Sequence, residues 1–325
     1  TGSLLKNRYF ALEELGSGSF ASVWMAYDKK DKKFVALKVH NEEDNDEGER
    51  EAGLFKEVAK ANSPYLARVT DDFMHSTPEG AEHFCMAMDL CACSAYDLIR
   101  GERFKKGLPI SLLRPLLYQF FQGLHAFHSK LKIVHTDIKP ENLLIHGLSP
   151  RVQAIIELFK AKQGDKKLQP PKGKKKARPA SYYTRLAKSV MPLEDFEEKE
   201  PILGKYLTDL RTSLIDYGNC CALSELDTEE VQTRHYRAPE VILGKEYSEK
   251  IDLWSSACLI FELLTGKVMF KPSKTKRLTR DRFHLYEIQK YFGPYPLALH
   301  KGGAKEHFFF RNGTDLLKGF SRAEY

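Results

Sequence analysis

His135-Thr-Asp137-Ile-Lys139-Pro-Glu-Asn142 is the stretch on which the reading of this 325-residue chain turns. It sets a carboxylate at Asp137, a cation two positions on at Lys139 and a carboxamide five positions on at Asn142. Just upstream, Leu112, Leu113, Leu116, Leu117, Phe120, Leu124 and Phe127 recur at three- and four-residue steps. That period predicts a helix with one buried face, ending near His128 and handing the chain to the polar segment. An acid, an amine and an amide in this order, delivered from the end of a buried helix, form a set that chance rarely assembles.

Further upstream the period changes to alternation. Tyr9 to Glu14 and Ala21 to Tyr27 read as strands around a glycine turn at Gly16 to Ser19, and Phe34 to Val39 as a third. The acidic segment Glu42 to Arg50 flows into a helical pattern through Leu54, Phe55 and Val58. Leu66 to Phe73 and His83 to Leu90 add two more strands. The pattern predicts a small β-rich lobe over 1–90, a connection and the first half of a helical lobe over 91–145, and the rest of that lobe over 213–325. Leu253, Trp254, Ala257, Ile260, Phe261 and Leu264 mark a core helix in the last piece. The class is α+β, in two lobes, without an internal repeat. Residues 146–212 read as a basic insertion. Lys162 to Pro179 is rich in lysine, proline and glycine and too poor in apolar residues to order itself. A helical pattern over Val152 to Lys162 and an acidic piece, Glu194 to Glu200, flank it.

Hydrophobic residues make up 42% of the chain and charged residues 29%, which excludes wholesale disorder. The net charge of +7 favours acidic partners, RNA among them. No apolar run reaches membrane-spanning length, and no secretion signal opens the chain. Of six cysteines, Cys91 and Cys93 are one residue apart and Cys220 and Cys221 adjacent, so neither pair makes a zinc half-site. Reduced thiols, and hence the cytoplasm and nucleus, are expected.

Moving a phosphoryl group requires phosphates held in place, a metal ion to neutralise charge and a base near the attacking hydroxyl. Stretches suited to each need follow in order. Gly16-Ser17-Gly18-Ser-Phe-Ala21-Ser-Val23 fits a glycine-rich loop, with alanine as the third small residue, and Ala36-Leu-Lys38 follows one hairpin later. Leu214-Ile-Asp216-Tyr-Gly218, Ala238-Pro-Glu240 and Asp252 with Trp254 complete the series. Together they resemble the protein kinase signature. More narrowly, the chain is similar to the SR-protein kinases from Arg8 to about Leu317. His-Thr-Asp replaces His-Arg-Asp, Asp216-Tyr-Gly-Asn-Cys220 is similar to that family's Asp-Leu-Gly-Asn-Ala, and Val231-Gln-Thr-Arg-His-Tyr-Arg237 matches its substrate-binding loop. Ser255-Ser-Ala-Cys258 and the lysine-rich insertion agree. The LAMMER kinases come next, through Thr233-Arg-His-Tyr-Arg-Ala-Pro-Glu240, but their naming helix reads His284-Leu-Tyr-Glu-Ile-Gln289 here.

The resemblance implies a bilobal protein kinase fold with an insertion after the catalytic loop. It implies transfer of the ATP γ-phosphate to serine or threonine of protein substrates, arginine-serine-rich splicing factors in particular, by a monomer. Asp137 would orient the substrate hydroxyl and take its proton, and Lys139 would hold the γ-phosphate. Lys38 would clamp the α- and β-phosphates with Glu51 as partner, Glu47 and Glu49 being the alternatives. Asn142 and Asp216 would bind Mg2+. ATP would lie under Gly16, Ser17, Gly18, Val23 and Ala36 and above Leu144, with Met88 as gatekeeper and the backbone of Asp89, Leu90 and Cys91 at the adenine edge. Arg234 and Arg237 belong to the substrate loop. The competing expectation is a scaffold that binds nucleotide without transfer. Thr136 carries no charge to pair with an activation-loop phosphate, so activity without that modification is expected. Two departures stand out. Lys267, Phe283 and Lys290 fall where the family has an acidic docking groove, and the sequence ends at Tyr325 without an arginine in register for Glu240.

Overall fold

The computed structural model describes residues 3–163, 186, 200–226, 230–274 and 278–310. The first lobe is a six-stranded antiparallel sheet of β1 (Leu4–Leu5), β2 (Tyr9–Ser17), β3 (Ala21–Asp28), β4 (Lys33–His40), β5 (Val69–Ser76) and β6 (Glu82–Asp89). Its strand order is β1-β2-β3-β4-β6-β5. Helix α1 (Asn45–Ala59) crosses between β4 and β5 and buries Glu51, Ala52, Phe55 and Val58. Alternation along β2 sends Tyr9 and Ala11 into one apolar cluster and Phe10 and Leu12 into another on the opposite face.

That second face is covered by a helix from inside the insertion. The chain leaves the sheet through β7 (Cys91–Ser94) and α2 (Ala95–Arg100), runs down α3 (Ile110–His125) and returns through β8 (Ile133–Val134) and β9 (Leu143–His146). Helix α4 (Pro150–Gln163) then rises and packs Val152, Ile155, Ile156 and Phe159 against Phe10, Leu12 and Met25. Phe159 is fully buried, its ring 4.8 Å from Tyr27 and 5.5 Å from Phe34. The insertion is closed at its base, because β10 (Thr212–Leu214) pairs antiparallel with β9. Its residues 164–185 and 187–199, which hold most of the lysine-rich run and the acidic piece, lie outside the described residues.

The second lobe continues through β11 (Cys221–Ala222), paired with β8, and the helices α5 (Pro239–Ile242), α6 (Lys250–Thr265) and α7 (Arg280–Phe292). Helix α6 is central, but its buried side is not the expected one. Ile251, Asp252, Ser255, Ser256, Cys258, Leu259, Glu262 and Leu263 are buried, whereas Leu253 is 50% and Leu264 39% exposed. Apolar residues all round the helix leave the choice of face to the neighbours, and two of those buried positions are filled by carboxylates with partners. Arg100 and Tyr236 satisfy Glu262. Glu240 is half-buried and makes no ion pair among the described residues, and burial raises its carboxyl above the ordinary value. No described helix is long and apolar enough to cross a membrane.

Candidate active site

Between the lobes lies a cleft of about 1200 Å³ lined by Gly16, Ser17, Gly18, Val23, Ala36 and Lys38 above and by Asn142, Leu144 and Asp216 below. Met88, Asp89 and Cys91 form its back edge, while Leu90 turns away and packs with the α4 cluster. Burial, then the charge of Asp89, push the Cys91 thiol up to about 12, so it stays protonated. The glycines of the loop are not there to permit a twisted backbone. A Cβ on Gly16 would meet nothing within 4 Å and one on Gly18 only the Ala21 carbonyl at 3.7 Å. Their smallness instead leaves the cleft side of the hairpin clear for a ligand to approach the backbone.

Strand β4 and helix α1 bring Lys38 and Glu51 together. Lys38 Nζ donates to Glu51 Oε2 at 2.5 Å, and His40 Nε2 lies 3.4 Å from the same oxygen. Burial works against the Glu51 carboxylate, but His40 and Lys38 win and hold its pKa low. Glu51 is therefore the partner; Glu47 is taken by Arg50. His40 escaped the sequence reading because nothing in a strand histidine marks it as the second support of a glutamate.

The loop after β8 is built on a carboxylate that the sequence had offered only as a motif member. Asp252, at the start of α6 and fully buried, accepts from the backbone N–H groups of His135 and Thr136 at 2.8 and 2.9 Å and contacts His128 Nε2 at 2.8 Å. So anchored, Thr136 sits at φ 65° and Asp216 at φ 68°. A β-branched residue in that region is an outlier that only its surroundings can hold, and such strain gathers at functional sites. The Thr136 hydroxyl donates to the Asn219 carbonyl at 2.8 Å, tying the loop to the start of the activation segment. From the other lobe, Arg50 donates to the Gly218 carbonyl at 3.1 Å.

Asp137, Lys139, Asn142 and Asp216 converge. Lys139 Nζ donates to Asp137 Oδ2 at 2.6 Å and to Thr233 Oγ1 at 3.2 Å. Asn142 Nδ2 donates to Asp137 Oδ2 and Asp216 Oδ2, both at 3.2 Å. Thr233 Oγ1 donates to Asp137 Oδ1 at 2.6 Å, which places a hydroxyl where an incoming alcohol would stand. Burial opposes the charge of Asp137, yet hydrogen bonds from Lys139 and Thr233 keep its carboxyl below 3.8. Tyr217 fixes the neighbouring Asp216 from behind. It is fully buried, its ring lies 4.5 Å from Phe55 and 5.2 Å from Phe127, and its hydroxyl donates to the Leu214 carbonyl at 2.8 Å.

Beside Asp137 opens a second cavity of about 630 Å³, lined by Arg50, Thr136, Glu225, Glu230, Gln232 and Thr233 among others. Arg234 and Arg237 do not line it. Arg234 pairs with Asp281 and Glu230, and buried Arg237 binds Glu230 and the Gln232 carbonyl. Both arginines shape the loop. Gln232 locks it further, donating to the Ile251 carbonyl and Ser255 Oγ and accepting from Ala238 N–H.

The donor set suits a small hard cation. Asp216 offers carboxylate oxygens at the cleft floor, the Asn142 carboxamide stands beside them with its Nδ2 3.2 Å from Asp216 Oδ2, and no group of three or more His, Cys, Asp or Glu suited to a metal occurs among the described residues. Magnesium is usually held by one or two protein oxygens and completes its shell with phosphate and water.

A family model described as the protein kinase domain matches residues 9–158 and 202–306. The serine/threonine-protein kinase SRPK of Physarum polycephalum is 32% identical over 331 residues, covering 97% of this chain and 74% of that protein. Protein kinase dsk1 of Schizosaccharomyces pombe is 27% identical, covering 95% of this chain and 70% of its own length. SRSF protein kinase 3 of Mus musculus is 24% identical, over 97% of this chain and 77% of its own.

Proposed function

The chain belongs to the protein kinase family, on its SR-protein-kinase branch, and from that premise we propose that it moves the γ-phosphate of Mg-ATP to serines in arginine-serine segments of splicing factors. Phosphorylation of serine or threonine at the expense of ATP is the activity of the family; the metal and the substrate class are our reading. The observation that carries it is the meeting of Asp137, Lys139, Asn142 and Asp216 on the cleft floor opposite the Lys38–Glu51 pair.

The residues divide the work. Lys38, held straight by Glu51, presents its ammonium to the inner phosphates under the glycine loop. Magnesium at Asp216 and Asn142 would neutralise phosphate charge. The substrate serine takes the place of the Thr233 hydroxyl against Asp137 Oδ1, and Asp137 accepts its proton as the oxygen attacks. Lys139, already within reach of that carboxylate, balances the charge that develops on the phosphoryl oxygens. Glu225 at the adjoining cavity gives a carboxylate for an arginine flanking the serine, which supports the arginine-serine class, while Glu230 is already held by Arg234 and Arg237. All six cysteines are free, which supports residence in the reducing cytoplasm and nucleus.

The test is transfer of labelled phosphate from Mg-ATP to an arginine-serine repeat peptide and to an acidic serine peptide, with Asp137→Ala beside the wild type. Transfer to the first, lost in the variant, is expected. Transfer to the acidic peptide alone would keep the enzyme and overturn the substrate. A chain that binds ATP and transfers to neither would be a scaffold.

A further inference from the structure

A run of cations on α7 and the loop before it, Lys267, Lys271, Lys274, Arg280 and Lys290, is exposed and makes no ion pair among the described residues. They form one face. Arg280, Glu287 and Lys290 follow one another at seven and three residues, which brings them to the same side of the helix. His284, Leu285, Ile288 and Gln289 fill the buried side. The preceding loop meets the exposed side at Lys271, whose N–H donates to Glu287 Oε2 at 3.0 Å. The acids of the helix are already engaged, Asp281 with Arg234 and Glu287 with that backbone N–H.

The face is continuous with the phosphoacceptor site. Arg234 follows Thr233, which binds Asp137, and its pairing with Asp281 fixes the first turn of α7 beside the substrate loop. From there a helix of 13 residues carries the cations about 20 Å away.

We infer that this face docks an aspartate- and glutamate-rich segment of the protein substrate, remote from the serine that is phosphorylated. The inference rests on the kinase reading and refines its substrate. Four of the five cations are lysines, hydrated point charges that suit carboxylates, whereas phosphate and nucleic acid are typically met by the planar fork of arginine. Arginine-serine repeats are repelled here. They belong in the cavity with Glu225, so a good substrate has two parts of opposite charge.

The experiment uses one arginine-serine acceptor peptide bearing a neutral, an Asp/Glu or a phosphoserine extension. The Asp/Glu extension is expected to lower KM ~10-fold at low salt and less at high salt. The combined variant Lys267→Ala, Lys271→Ala, Lys274→Ala and Lys290→Ala should erase that gain while leaving kcat and KM for the neutral peptide unchanged. An Asp/Glu extension without effect, a gain that survives in the variant, or a stronger gain from phosphoserine overturns the proposal. So does single-stranded RNA that displaces a fluorescent Asp/Glu peptide and binds more tightly. Anisotropy of that labelled peptide needs no phosphate transfer. If no acceptor is phosphorylated, the function fails while the docking face is still judged.

Discussion

The loop at 135–142 and the exposed cations of 267–274 and 280–290 treat their polar groups in opposite ways. In the loop, the backbone of His135 and Thr136, the Thr136 hydroxyl and both Asp137 oxygens have partners before any ligand arrives. On the face, the lysines are exposed and make no ion pair among the described residues. Catalysis gains from groups fixed in advance, since no reorganisation is then needed at the moment of reaction. A docking surface gains from charges left free, since a partner supplies the counterions. Saturation marks the chemistry, and vacancy marks the partner.

The contrast can be broken most severely at its catalytic end. Asp137→Ala should lower kcat ~10²–10⁴-fold, the span typical of general acid–base groups, while the melting temperature barely moves. Because the folded pKa of Asp137 is depressed, the carboxylate keeps its charge to lower pH than an ordinary aspartate. Its contribution to stability is present above the unfolded value and lost as pH falls through the lowered one. The acid limb of kcat that belongs to Asp137 should therefore lie on the acid side of the ordinary aspartate range, and a limb near neutrality would assign the titration elsewhere. Asp252→Ala strips buried donors of their carboxylate and should destabilise the fold by about 3–5 kcal/mol, read by denaturant unfolding. Glu51→Gln weakens the support of Lys38 and should reduce kcat/KM by about 10–100-fold, the equivalent of ~1.5–3 kcal/mol for a charged hydrogen bond. Thr136→Val removes one hydroxyl bond, worth about 1 kcal/mol in thermal unfolding. Phosphatase treatment of the wild type should leave its activity intact, and abolished activity would give the activation segment a phosphate after all. At the other end, Lys290→Ala should stay within about 0.5 kcal/mol of wild type in stability. A larger change would mean that the face is structural and the contrast false.

The same contrast explains what could be read without coordinates. The meeting of Asp137, Lys139, Asn142 and Asp216 was legible because the chemistry proposed for them demands one residue type at each fixed spacing. Thr233 and His40 were not, since a hydroxyl and an imidazole acquire their roles only when distant strands and loops meet. The burial of α6 was misread because its apolar residues surround it, and a periodicity argument has no purchase on a helix packed on most sides. Helix α4 was half legible. Val152, Ile155, Ile156 and Phe159 stand at three- and four-residue steps and announce an apolar stripe, but the surrounding lysines drew the segment into the insertion, and the sheet that receives the stripe is more than a hundred residues upstream.

That helix has a mechanical consequence. It rises from β9 and packs on β2 and β3, and Arg151 donates to Glu13 Oε1 at 2.7 Å on the strand that leads into the glycine loop. The lobes are thus stitched twice along one edge, by the chain at 89–91 and by α4. A box stitched along its back gapes at the front. With that edge held, opening of the cleft is expected at the glycine hairpin, at whose tip Phe20 stands 64% exposed, and turnover would then follow the lifting of a short flap.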